Sequence, residues 1–206
     1  MNFSKAIQLI CKYEGFNEKA YPDVCTGDAP FTIGYGTQYY PDGQPVCKEH
    51  CCTKKKALEY VKDEINLIEN DLNKLNLHLD KSMKEALISF IHSIGWSAFI
   101  FTGLPEYIEN ENWSEVADQF SRWIFDCEHN VIGNLVDRRR EEIHLFFQEI
   151  NESPWGSTEI LLRAFRNYVA SPNQVRAIKK LEENINPQIL ADFGNEFDIN
   201  KGFWLD

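Results

Sequence analysis

Apolar residues recur at three- and four-residue steps along most of the first 150 positions, a spacing that predicts a chain built mainly of helices. In residues 3–14, Ile7, Ile10 and Cys11 share one face, with Phe3 and Glu14 a turn to either side and Gly15 as a stop. Thr53 has the character of an N-cap. It opens a helix over 54–77 with Ala57, Val61, Ile65, Ile68, Leu72 and Leu75 in step, long enough to link two lobes. Asp80 caps a helix over 81–94 that is apolar on most sides (Ala86, Leu87, Ile88, Phe90, Ile91, Ile94), as expected of a helix surrounded by others. Short helical segments follow over 96–110. A further helix spans 114–125, capped by Ser114 or Asn112, and another spans 135–150.

Residues 20–40 break this rhythm. The run AYPDVCTGDAPFTIGYGTQYY mixes Pro, Gly, aromatic and β-branched residues and predicts a short β-hairpin region; PDGQPV at 41–46 is a further turn. The fold class expected is α+β, mostly helical: a small β-hairpin lobe, a long connecting helix, a helical bundle lobe, and a short helical C-terminal extension. Ser153-Pro154-Trp155-Gly156 reads as a linker, so the expected division is a domain over 1–150 and an extension over 151–206. The extension is predicted to hold helices over 157–169, 172–184 and 187–194, with Pro172 and Pro187 at helix starts, and to dock through Leu161, Leu162, Phe165, Tyr168 and Val169.

The composition suits a packed protein: 206 residues, of which 43% are hydrophobic and 13% aromatic. A formal net charge of −11 argues against nucleic acid and against an anionic membrane surface as partners. No stretch approaches the roughly 20 apolar residues of a membrane span. The opening MNFSKAIQLICKYEG lacks the apolar core and cleavage site of a signal peptide, so synthesis in the cytoplasm and action after release or delivery are expected. Six cysteines stand at 11, 25, 47, 51, 52 and 127. Cys47, His50, Cys51 and Cys52 crowd into six residues with no second ligand pair nearby, which favours free thiols in a loop over a zinc site. Neither a metal nor a cofactor is expected.

The candidate chemistry begins with Glu14. It falls in the last turn of its helix, where unpaired carbonyls carry partial negative charge. That charge and partial burial both favour a protonated carboxyl, able to protonate a leaving oxygen. Asp23 follows nine positions later in a polar, turn-rich stretch that keeps it ionised. Two carboxyls in contrasting environments across a cleft form the pattern of glycoside hydrolysis.

The ordered run Glu14-Gly15-Phe16, Ala20-Tyr21-Pro22-Asp23 and Thr32-Ile33-Gly34-Tyr35-Gly36-Thr37 resembles the active-site segment of the phage-type lysozymes, the endolysin family of glycoside hydrolases. The resemblance continues through Tyr40-Pro41-Asp42-Gly43 and Pro45-Val46, through Ala86–Phe90 to Gly95, and through Phe120, Arg122-Trp123, Leu135–Arg139, Glu142 and Phe146, covering about residues 1–148. It implies a muramidase that cuts the β-1,4 bond between N-acetylmuramic acid and N-acetylglucosamine in peptidoglycan strands. Glu14 would then be the general acid, Asp23 the partner of the attacking water, and Thr32 a residue that positions that water. Tyr21, Gly34, Tyr35 and Gly36 would contact the glycan, and Arg138 or Arg139 would support Glu14 from behind.

Two other readings remain open at this point: a chitin-type glycosidase on the same fold, and a silent lysozyme-like module that binds glycan or protein. The chain departs from the family pattern in three places. Eight residues separate Asp23 from Thr32, Ser93 follows His92 where the family often has Asn, and Glu128-His129 stands where a Gly-Gly pair is common. His92 itself is expected to be a core or cleft-edge histidine.

Overall fold

The computed structural model describes residues 3–23 and 26–150, together with two short strands near the C-terminus. The chain divides into two compact units, residues 1–101 and 102–206.

In the first unit, α1 (Ser4–Glu14) buries Ala6, Leu9 and Ile10, with Phe3 buried just before it. Ile7 and Cys11 lie at the margin of this face, which is therefore rotated from the one expected. Phe3 provides no side-chain cap. The carboxylate of Glu85, itself buried, accepts a hydrogen bond from the Lys5 amide at 3.1 Å and so satisfies a donor in the open first turn. β1 (Asn17–Pro22) and β2 (Phe31–Gly34) form the expected antiparallel hairpin, with Tyr21 opposite Thr32 and an irregularity between Asn17 and Tyr21. Single bridges at Lys19–Cys51 and Tyr39–Pro45 carry the pairing past the expected end of the region at residue 40.

α2 (Lys54–Lys74) starts where Thr53 predicts, with the Thr53 hydroxyl accepting the Lys56 amide at 3.2 Å. It ends three residues before the expected 77, because the chain turns there through Asn76 at φ +53°. α3 (Lys81–Ile94) matches its expected span, with Asp80 accepting the Met83 amide at 2.8 Å. It buries Leu87, Ile88, Phe90 and Ile91 and packs against α1, α2 and α4 (Trp96–Phe101), as its all-round apolar surface predicts.

The second unit holds α5 (Leu104–Glu109), α6 (Trp113–Ser121) and α7 (Gly133–Phe146). α6 stops short of the expected residue 125, because Asp126 organises a turn instead: its Oδ1 accepts from the amides of Glu128 and Asn130, each at 2.8 Å. Phe120 and Phe146 meet edge to face with centroids 5.9 Å apart, fastening α6 to α7. β3 (Phe197–Asp198) pairs antiparallel with β4 (Phe203–Trp204). The three helices expected over 157–169, 172–184 and 187–194 lie outside the described residues. The fold is thus mostly helical with a small antiparallel sheet. Among the described residues no helix is long and apolar enough to cross a membrane.

Candidate active site

The hairpin and the end of α1 bring the three sequence-selected groups to one place. Glu14 is the last residue of α1, Asp23 directly follows β1, and Thr32 lies in β2. All three line a single cleft of about 720 Å³. Tyr21 lines it too: residues opposed across an antiparallel pair project to the same face, so the Tyr21–Thr32 register delivers both. Burial, and secondarily the negative charge of Glu14, push the Tyr21 phenol above its ordinary pKa.

The eight-residue gap after Asp23 closes on Asp23 itself. The Thr26 amide donates to its Oδ1 at 3.0 Å, the Gly27 amide donates to its backbone carbonyl at 2.9 Å, and its own amide meets the carbonyls of Asp28 and Pro30. The longer loop therefore pins the carboxylate at the cleft edge.

Gly36 lines the cleft at φ +98°, where a Cβ would stand 3.2 Å from the Glu14 carboxyl carbon and 3.1 Å from His92 Cε1. Gly34 and Tyr35 are not among the residues lining the cleft. Gly34 sits at φ +67° with Ala57 Cβ only 2.8 Å from where its own Cβ would be, so it lets β2 lie against α2. Tyr35 is buried, with its ring 5.6 Å from that of Phe16.

Sequence patterns bear the relationship out. The profile of the phage lysozyme family matches residues 11–142. The endolysin of Bacillus phage PZA is 34% identical over 148 residues, covering 71% of this chain and 55% of that protein. The endolysin of Salmonella phage P22 is 31% identical, covering 69% of this chain and 95% of its own length. An endolysin structure from Escherichia coli O157:H7 phage FAHEc1 superposes with a TM-score of 0.60 at 25% identity, covering 76% of this chain and 97% of that one. The chain belongs to the phage lysozyme family. It spans about half the length of the Bacillus phage relative it matches.

Within this member of the family, a group that sequence reasoning did not single out completes the cleft. Tyr60, Asp63, Glu64 and Leu67 of α2 all line it. Their i, i+3, i+4, i+7 spacing was a readable helical stripe, but it is polar and lies beside the apolar face that identifies the helix. Glu64 meets His92 Nε2 at 2.9 Å, and the other ring nitrogen, Nδ1, stands 3.5 Å from Glu14 Oε1. These are ion-pair distances without well-aligned hydrogen bonds to the ring. Burial alone would lower the His92 pKa. The two carboxylates outweigh it and raise the value to about 9, so the ring is an imidazolium at neutral pH. Its charge opposes, at Glu14, the helix-end field from which the sequence argued for a protonated acid.

Arg138 and Arg139 lie on α7 in the second unit. Both are buried rather than solvated, and their Nε atoms meet Glu142 at 3.0 and 2.9 Å. Their expected support of Glu14 rests on the family resemblance alone. Cys47 and Cys51 are exposed free thiols and Cys52 is a buried one, while Cys127 is disulfide-bonded. His50 serves this segment structurally: its Nδ1 accepts the Cys47 amide at 3.1 Å and lies 2.9 Å from the hydroxyl of Tyr40, a cleft residue.

Proposed function

We propose that this chain is a peptidoglycan muramidase acting on the bacterial cell wall, hydrolysing the β-1,4 bond between N-acetylmuramic acid and N-acetylglucosamine. The observation that carries the reading is the gathering of Glu14, Asp23 and Thr32 on one cleft, from the end of α1, the position after β1 and β2. Glu14 protonates the glycosidic oxygen as the bond breaks. Asp23 takes a proton from water attacking the opposite face of the sugar, and the Thr32 hydroxyl orients that water. This arrangement requires carboxyls about 6.5–9.5 Å apart and gives inversion at the anomeric carbon. Tyr21 and Gly36 are the expected glycan contacts among the residues chosen from sequence; Gly34 and Tyr35 serve packing. Membership of the phage lysozyme family and the named endolysin relatives support the same substrate class.

The test is product analysis of digested, purified cell walls. Wild type releases new reducing ends and Glu14→Gln lowers the rate by about 100- to 10,000-fold. Near-normal lysis by Glu14→Gln overturns the acid assignment. A chitin polymer assayed in parallel separates this reading from a chitin-type glycosidase.

A further inference from the structure

Three ionisable side chains from three helices meet at the back of the cleft, and only one of them has a role in the reaction just proposed. His92 of α3 stands between Glu14 of α1 and Glu64 of α2, and its side chain is only 4% exposed. A buried imidazolium with one carboxylate would bind that carboxylate's charged form and hinder its protonation. With a second carboxylate at 2.9 Å, closer than Glu14 at 3.5 Å, the ring's charge is shared between Glu64 and Glu14. Glu64 thereby weakens the hold of the imidazolium on the charged form of Glu14.

We propose that Glu64 and His92 form a buried positioning pair that holds the Glu14 carboxyl in place and sets the pH range over which it can donate a proton. The proposal rests on the reading of Glu14 as the acid.

Other titratable groups face the same cluster and cleft. Of the helices packed against α3, α1 contributes Glu14 and α2 contributes Glu64, while α4 carries no titratable group. Asp63 and Tyr60 of α2, with Tyr21 and Asp23 of the hairpin, line the same cleft. Gly36, with no side chain, leaves the space in which the imidazole and the Glu14 carboxyl approach each other.

The two members of the pair act on Glu14 in opposite directions, which makes the idea testable. Glu64→Gln, nearly isosteric, leaves the imidazolium facing Glu14 alone and moves the alkaline limb of the lysis–pH profile toward acid by about one pH unit. His92→Phe leaves two carboxylates without the cation and moves the limb toward alkaline by about the same amount. The double variant lies between them. Proton NMR titration of the His92 ring, assigned by its loss in His92→Phe, shows wild-type His92 titrating well above an ordinary histidine. It falls in Glu64→Gln and in Glu14→Gln.

Limbs that stay put, or move the same way in both variants, overturn the proposal. So does an ordinary His92 titration indifferent to Glu64→Gln. If His92→Phe does not fold, Glu64→Gln and the NMR titration still decide. Wild-type lysis by Glu14→Gln sinks the acid assignment instead, and the NMR arm judges the pair separately.

Discussion

Glu64 Oε2 lies 2.9 Å from His92 Nε2, an ion pair that ties α2 to α3. The folded-state pKa of His92, about 9, stands above the ordinary 6.5, so folding takes up a proton in the window between those values. The resulting stabilisation is complete below about pH 6.5 and is lost as pH rises through about 9; by the size of the shift it amounts to roughly 3 kcal/mol. Urea unfolding at about pH 6 and about pH 10 is expected to show that loss in the wild type and little of it in His92→Phe. An equal loss in both proteins assigns the pH dependence elsewhere.

Gly34→Ala tests the seat of β2 on α2. The added Cβ would fall 2.8 Å from Ala57 Cβ, and at φ +67° an alanine is also strained. Overpacking costs about 1–3 kcal/mol, with roughly 1–2 kcal/mol more for the left-handed backbone. Thermal melting should show a large drop in Tm. An unchanged Tm contradicts the contact.

Gly36→Ala separates cleft geometry from packing. Here the Cβ meets the Glu14 carboxyl at 3.2 Å and His92 Cε1 at 3.1 Å rather than the backbone of another element. Side-chain ends give way more easily than backbone, so the expected loss is about 1–2 kcal/mol of stability from the φ of +98°. Wall-lysis activity should fall by at least about tenfold, since small displacements of a reacting group cost rate steeply. Folded Gly36→Ala with full activity shows that the Glu14 carboxyl tolerates the crowding.

Elements with local signals were legible. Thr53 and Asp80 cap the helices that their own side chains announce, and the start of the TIGYG run, Thr32–Gly34, is in a strand paired to the segment carrying Tyr21. Gathering Glu14, Asp23 and Thr32 needed no more than a helix end and a hairpin register. Long-range partners were not legible. Nothing near Lys5 in sequence points to Glu85, 80 positions away, as the group that meets its amide. Nothing near Glu64 in sequence points to His92, on another helix, as its partner. Gly34 and Gly36 share one motif and identical chemistry, yet one faces a neighbouring helix and the other the acid; only the packed structure separates them.

Glu142 pairs with two buried arginines on its own helix. Its carboxylate, fully buried on α7, meets Arg138 Nε at 3.0 Å and Arg139 at 2.9 Å through Nε and 3.1 Å through Nη2. Two guanidiniums one residue apart, both buried, repel each other, and the carboxylate between them offsets that repulsion as well as part of their desolvation. Glu142→Gln keeps the shape and removes the charge. Breaking a buried ion pair from one side costs about 3–5 kcal/mol, because the remaining charge stays in a low-dielectric setting. Glu109→Gln, on the exposed end of α5, should change stability by no more than about 0.5 kcal/mol and serves as the control. Urea unfolding of the two variants against wild type measures the difference. Equal stabilities would mean that the two arginines draw their compensation from groups other than Glu142.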